Sequence, residues 1–107
     1  MAEEQKILGQ SVPVATTLTD TYVAVAKAVC SSIMICNQEN ADTLFRVSVA
    51  KNGAGDDPKQ YIYWDLPIFA HDTFIATVGI TLGVGDIVRC YSANGQCSFN
   101  LFGVEIT

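Results

Sequence analysis

The segment 97–106 reads Cys-Ser-Phe-Asn-Leu-Phe-Gly-Val-Glu-Ile. In extended backbone, successive side chains point to opposite faces. Cys97, Phe99 and Leu101 therefore point one way, and Phe102, Val104 and Ile106 the other. Other segments repeat this two-sided pattern. Tyr22 and Ala24 oppose Val23 and Val25, and Ile33 and Ile35 oppose Met34 and Cys36. A small antiparallel domain has one core and needs one apolar face per strand. The second face has to meet another surface, which favours a subunit of an assembly over a free-standing enzyme.

Turn residues divide the chain into short β-like runs, and no run carries a 3.6-residue apolar period. Thr43 to Ala50 is the cleanest strand, with Phe45, Val47 and Val49 on one face and Leu44, Arg46 and Ser48 on the other. Residues 37–42 form a polar turn, and residues 52–58 a loop rich in Gly and Asp. Gln60 to Leu66 is aromatic, and Pro67, lacking an N–H, is expected to end that strand. Thr73 to Val78 and Ile80 to Leu82 flank Gly79. Ile87 to Tyr91 and Cys97 to Ile106 are expected to pair as a hairpin around Asn94-Gly95, a type I′ turn signal. Turns recurring every eight to twelve residues or so predict an all-β fold. The expectation is a single-domain antiparallel β-sandwich, jelly-roll or immunoglobulin-like, of about seven or eight strands. Residues 1–10 carry charge and no apolar period before Ile7, so an N-terminal arm is expected there, with the sandwich over 11–107.

Composition agrees with a partner-covered surface. Half of the 107 residues are hydrophobic and 16% are charged, against about 25% charged in an ordinary domain. The net charge is −5 and the six Lys and Arg residues are scattered. Phosphate binding needs clustered cations, so no nucleic-acid partner is expected. The opening residues lack the basic-then-apolar order of a signal peptide. The apolar runs are too short to span a bilayer. No membrane partner is expected, and synthesis is expected in a cytoplasm.

No constellation of catalytic residues emerges. The cysteines, at 30, 36, 90 and 97, contain no C-x-x-C pair, so the zinc and redox spacings are absent. In the expected hairpin, Cys90 and Cys97 are diagonal neighbours about 7–8 Å apart, too far for an unstrained bridge. All four read as reduced core or interface residues. His71 stands alone in a turn, and no G-x-S-x-G elbow is present. Asp56-Asp57 lacks the ligand order of a calcium loop. Gly79, Gly83 and Gly85 lack the Lys-Ser or Lys-Thr of a phosphate loop. Asp65, Asp72 and Asp86 give no facing carboxylate pair. Asp86 reads as a cap for backbone N–H groups of its own turn. Tyr61, Tyr63 and Trp64 suit a sugar platform, sheet packing or a subunit contact. No cofactor, metal or catalytic residue is expected.

One ordered set of motifs resembles a known family. It begins with Gln10-Ser11-x-Pro13-x-Ala15-Thr16-Thr17-Leu18-Thr19-Asp20-x-Tyr22 and Ser32-Ile33-x-Ile35-Cys36-Asn37. Phe45-Arg46-Val47-Ser48-Val49-Ala50 and Lys59-Gln60-Tyr61-Ile62-Tyr63 follow, the latter leading into Asp65-Leu66-Pro67-Ile68. Asp72-Thr73-Phe74, Gly79-Ile80-Thr81-Leu82 and Gly85-Asp86-x-Val88-Arg89 precede the closing residues 98–106. Together these resemble the small virion structural proteins of tailed bacteriophages. In one departure, Val25-Ala26-Lys27-Ala28 stands where the family carries a Pro-Ala-Gly-Thr turn, so the first hairpin is expected to differ.

The resemblance implies a β-sandwich and a non-enzymatic place in the virion. The leading expectation is a capsid cement or decoration protein that stabilises a shell of major capsid protein, as a homo-oligomer with a trimer as one form. Alternatives are a tail, baseplate or fibre component, or a host-surface carbohydrate-binding module. The residues expected at the interface are Ile7, Leu8, Val12, Val14, Tyr61, Tyr63, Phe102, Val104 and Ile106.

Overall fold

The computed structural model describes residues 2–107. Eight strands follow in chain order: β1 (Glu3–Ser11), β2 (Thr19–Val23), β3 (Lys27–Asn37), β4 (Thr43–Ala50), β5 (Tyr61–Ile68), β6 (Thr73–Leu82), β7 (Ile87–Ser92) and β8 (Cys97–Ile106). The only helical turns among the described residues are two short 3-10 turns, Lys51–Gly53 and Pro58–Gln60, in the β4–β5 connection.

The pairing is nested. β4 pairs with β5, β3 with β6, β2 with β7 and β1 with β8, all antiparallel. The chain is thus one long antiparallel ribbon folded at the β4–β5 connection. Two further pairings, β3 with β8 and β4 with β7, join its layers. The result is a first sheet of order β1-β8-β3-β6 facing a second sheet of order β2-β7-β4-β5. The fold is a β-sandwich, and this wrapped order is that of a jelly roll.

The core follows from strand alternation. Ile33 and Ile35 of β3, Phe45 and Val47 of β4, Val88 and Cys90 of β7, and Phe99 and Leu101 of β8 are fully buried between the sheets. The Phe45 ring centroid lies 5.2 Å from that of Phe74 and 6.3 Å from that of Phe99, within the range of favourable aromatic pairs. Gly103 permits the close approach of β8 to β3, because a Cβ there would collide with the Val29 carbonyl oxygen.

A buried Asn37 ties three connections together. Its Nδ2 donates to the carbonyl oxygens of Ala41 at 2.8 Å and Phe69 at 3.1 Å. Its Oδ1 accepts from the Glu39 N–H at 3.1 Å and from Asn94 Nδ2 at 3.2 Å. The β3–β4, β5–β6 and β7–β8 turns are thereby held at one end of the sandwich.

Four expectations require correction. Residues 3–10 of the expected arm, with Ser11, are a strand joined to β8 from Glu3↔Ile106 to Ser11↔Phe99; Met1 lies outside the described residues. The charged opening Glu-Glu-Gln-Lys is compatible with a strand because β1 is a sheet edge. β7 and β8 do not pair. The Asn94-Gly95 turn, with Gly95 at φ 71°, carries the chain from one sheet to the other, so Cys90 and Cys97 are not cross-strand neighbours. β2 and β3 likewise lie in different sheets, so no first hairpin exists there. Finally, β5 runs through Pro67 to Ile68. It too is an edge strand, where a missing N–H is tolerated.

Candidate functional site

The two outward faces of the sandwich differ in kind. On the first sheet, Phe102, Val104 and Ile106 of β8 point away from the core and are partly exposed. Ile7 of β1 sits opposite Phe102, and Val29 of β3 sits opposite Val104. Met34 and Ile75 pair across β3 and β6, and Ile75 is 62% exposed. Ser, Thr, Asn and Gln fill most of the rest. Of the chain's 11 acidic residues, only Glu3 belongs to this face, beside Lys27 at the Ile106 end. A shallow groove between β1 and β8 is lined by Ile7, Ser31, Phe102 and Val104.

β-bulges set which residues share this face. Ser31 is an extra residue in β3 relative to β8, since Cys30 pairs with Gly103 and Ser32 with Phe102. Ala28 and Cys30 point inward before it, and Ile33 and Ile35 after it. Val29 and Met34 consequently reach the same outer face although their spacing is odd.

The outer face of the second sheet is organised by its own ion pairs and aromatic contacts, with Val23, Leu44, Ile62 and Trp64 of its strands exposed. Arg46 Nε donates to Asp65 Oδ1 at 2.6 Å and Arg46 Nη2 to Asp65 Oδ2 at 3.2 Å. The guanidinium lies 3.7 Å from the Trp64 ring centroid and 4.4 Å from that of Tyr91, within cation–π range on both sides. Tyr61 meets Trp64 edge-on at 4.7 Å. Asp65 is placed by a bulge in β5, where it adopts φ 50°. The ion pair holds the Asp65 carboxyl below its ordinary range and raises Arg46. A second pair, Arg89 Nε to Asp20 Oδ1 at 3.0 Å, joins β7 to β2.

The expected interface residues divide accordingly. Ile7, Phe102, Val104 and Ile106 come together on the first sheet. Val12 and Val14 are exposed in the β1–β2 connection. Tyr61 faces out from the opposite sheet. Leu8 is corrected to a core position, and Tyr63 to an inward-facing one, partly buried and packed against the core. Leu8 is 9% exposed because it follows outward-facing Ile7 and so turns inward. Tyr63 pairs with buried Val47 and packs on Phe45 and Phe74, at ring distances of 5.9 and 5.3 Å. Val29, Met34 and Ile75 were missed, and the alternation within 73–82 was the available signal for Ile75. Trp64, 57% exposed, has one ring face covered by Arg46, which leaves less room for a sugar than the aromatic run suggested.

The titratable groups are absorbed by structure. Glu105, 7% exposed, accepts from Tyr22 Oη at 2.6 Å and from Lys6 Nζ at 3.0 Å. The hydrogen bond from Tyr22, then that from Lys6, lowers the Glu105 carboxyl. Burial and this same bond raise the Tyr22 phenol. Asp86 accepts from the Asn52 N–H and the Gly83 N–H, both at 2.8 Å, as its turn position suggested, and these bonds lower its carboxyl. Asp57 accepts from the Lys59 N–H at 3.1 Å. His71 is exposed in the β5–β6 turn at φ 57°. All four cysteines are free, and Cys30, Cys90 and Cys97 are buried. Burial pushes the Cys90 thiol up to about 12 and the Cys97 thiol up to about 11, which leaves both protonated and unreactive at neutral pH. Among the described residues, no three His, Cys, Asp or Glu side chains converge as metal ligands. No helix among them is long and apolar enough to cross a membrane.

The site is therefore a surface: an apolar, nearly uncharged sheet face opposite one that is stacked and ion-paired. No family model, curated protein or solved structure matches the chain.

Proposed function

We propose that this chain is a non-enzymatic structural protein of a tailed-bacteriophage virion, and that it acts as a capsid cement or decoration protein. It docks the outer face of its first sheet on the major capsid protein shell, and self-association of the bound copies reinforces the lattice. The observation that carries this reading is the apolar row of partly exposed Phe102, Val104 and Ile106, flanked by exposed Ile7, Met34 and Ile75, on one nearly uncharged sheet face. Four strands about 4.8 Å apart and about ten residues long make a face of roughly 600 Å². Covering it on both partners removes roughly 1,200 Å², the lower end of a specific interface. Many such contacts on one shell act together through multivalency.

The test is electron microscopy of the virions, with copy number from quantitative mass spectrometry. Hundreds of copies on the shell, with the first sheet against the capsid, support the proposal. A few dozen copies in the tail would move the chain to the tail, baseplate or fibre reading, and absence from the particle would overturn both.

A further inference from the structure

Two four-stranded sheets have four edges, and three of them are guarded against strand addition. β1 carries Glu3, Glu4 and Lys6 and a bulge at Leu8. β2 is five residues long, with Asp20 and a bulge at Thr21. β5 contains Pro67 and Asp65 and is broken by two register shifts. Charges, bulges, proline and shortness are the devices that blunt sheet edges. The fourth edge, β6, is ten residues long and reads Thr-Phe-Ile-Ala-Thr-Val-Gly-Ile-Thr-Leu, without charge or proline. Its one irregularity is at Val78-Gly79, two residues facing the single Ser31 of β3. Before that bulge, Thr73 to Thr77 pairs with β3 in unbroken register, which presents a regular outer edge. Alternate residues of an antiparallel strand direct their N–H and C=O groups away from the paired neighbour.

We propose that Thr73–Thr77 pairs antiparallel with the same segment of a second copy of this chain, about a two-fold axis at Ile75. The segment is complementary to itself in this register. Thr73 meets the partner's Thr77, a favourable cross-strand pair. Ile75 meets the partner's Ile75 on the outer face, where it is 62% exposed in the single chain. Phe74 lies opposite the partner's Ala76 on the inner side, large against small. No like charges face each other in the ladder, although each chain carries a net charge of −5. An isologous pairing of this kind closes on itself and does not propagate into a fibre. The joined edges form one eight-stranded sheet, and the two nearly uncharged outer faces become continuous. This inference rests on the fold and not on the virion reading.

Sedimentation velocity of the full chain, from micromolar to millimolar concentration, tests it. The wild type is expected to pass from monomer to dimer. Ile75→Lys, at an exposed position, is expected to raise the dimer dissociation constant about tenfold or more by setting the lysine opposite its own copy across the ladder. Val104→Lys, in the middle of the first sheet's outer face, is expected to leave it unchanged. Circular dichroism melting confirms that each variant folds. Hydrogen exchange at the outward amides of residues 73–77 is expected to slow as the dimer forms. A monomer at every concentration overturns the proposal. A dimer abolished by Val104→Lys and untouched by Ile75→Lys also overturns it, in favour of face-to-face association.

Discussion

The two sheets face the same solvent with opposite solutions. On the second, Arg46 is stacked between Trp64 and Tyr91 and held by both oxygens of Asp65. Each exposed aromatic there has a neighbour within the chain. On the first, the row from Ile7 to Ile106 has none of these partners. Aromatic and charged groups that satisfy one another stabilise a fold, whereas aliphatic groups without partners are stabilised by whatever covers them. The difference separates residues engaged within the fold from residues that the fold leaves without partners of that kind.

Several substitutions break or sharpen this contrast. The largest effect is expected from Asn37→Ala, which releases the turns feeding both sheets. Loss of its buried hydrogen bonds is expected to cost about 3 kcal/mol in chemical denaturation, and it should weaken both faces alike. Phe102→Ser comes next: retention on shells in co-sedimentation should fall by about 2 kcal/mol, while stability changes by less than about 1 kcal/mol. An equal loss of stability would place Phe102 with the core. Arg46→Ala should do the reverse, costing about 1 kcal/mol of stability through the lost stack and leaving retention intact.

The smallest and most diffuse effect is that of acid. Asp65, Asp86 and Glu105 all titrate below the ordinary carboxylate range when folded. Their stabilisation is complete above that range and is lost as pH falls through the lowered folded values. The melting temperature should therefore hold across neutral pH and drop on acidification below about pH 4. Glu105→Gln and Asp86→Asn should each flatten that drop.

Local pattern made some of this legible. β4 and β8 match their sequence boundaries because their alternation is unbroken; that alternation groups Phe102, Val104 and Ile106 on one face, but with both faces apolar it does not say which one points outward. Pairing partners were not legible. Asn94-Gly95 announces a turn, but a turn residue does not determine whether the strands it joins lie in one sheet or two. β1 was hidden because its apolar signal begins only at Ile7, and its partner β8 lies nearly the whole chain away. Tyr63 was misplaced because the shifts at Ile62 and at Trp64-Asp65 reset the alternation twice within one strand, and a bulge leaves no mark in composition. Leu8 was assigned to a free arm because a docked edge strand and a loose tail can share one sequence.

The nesting of the ribbon also governs when the molecule can assemble. β8 lies between β1 and β3, so during synthesis β1 has no ladder to join until residues 97–106 emerge, whereas β3 can already pair with β6. The β1–β8 pairing spans nearly the whole chain, and such distant pairings form slowly. The first sheet is thus expected to be completed last, when β8 inserts between β1 and β3.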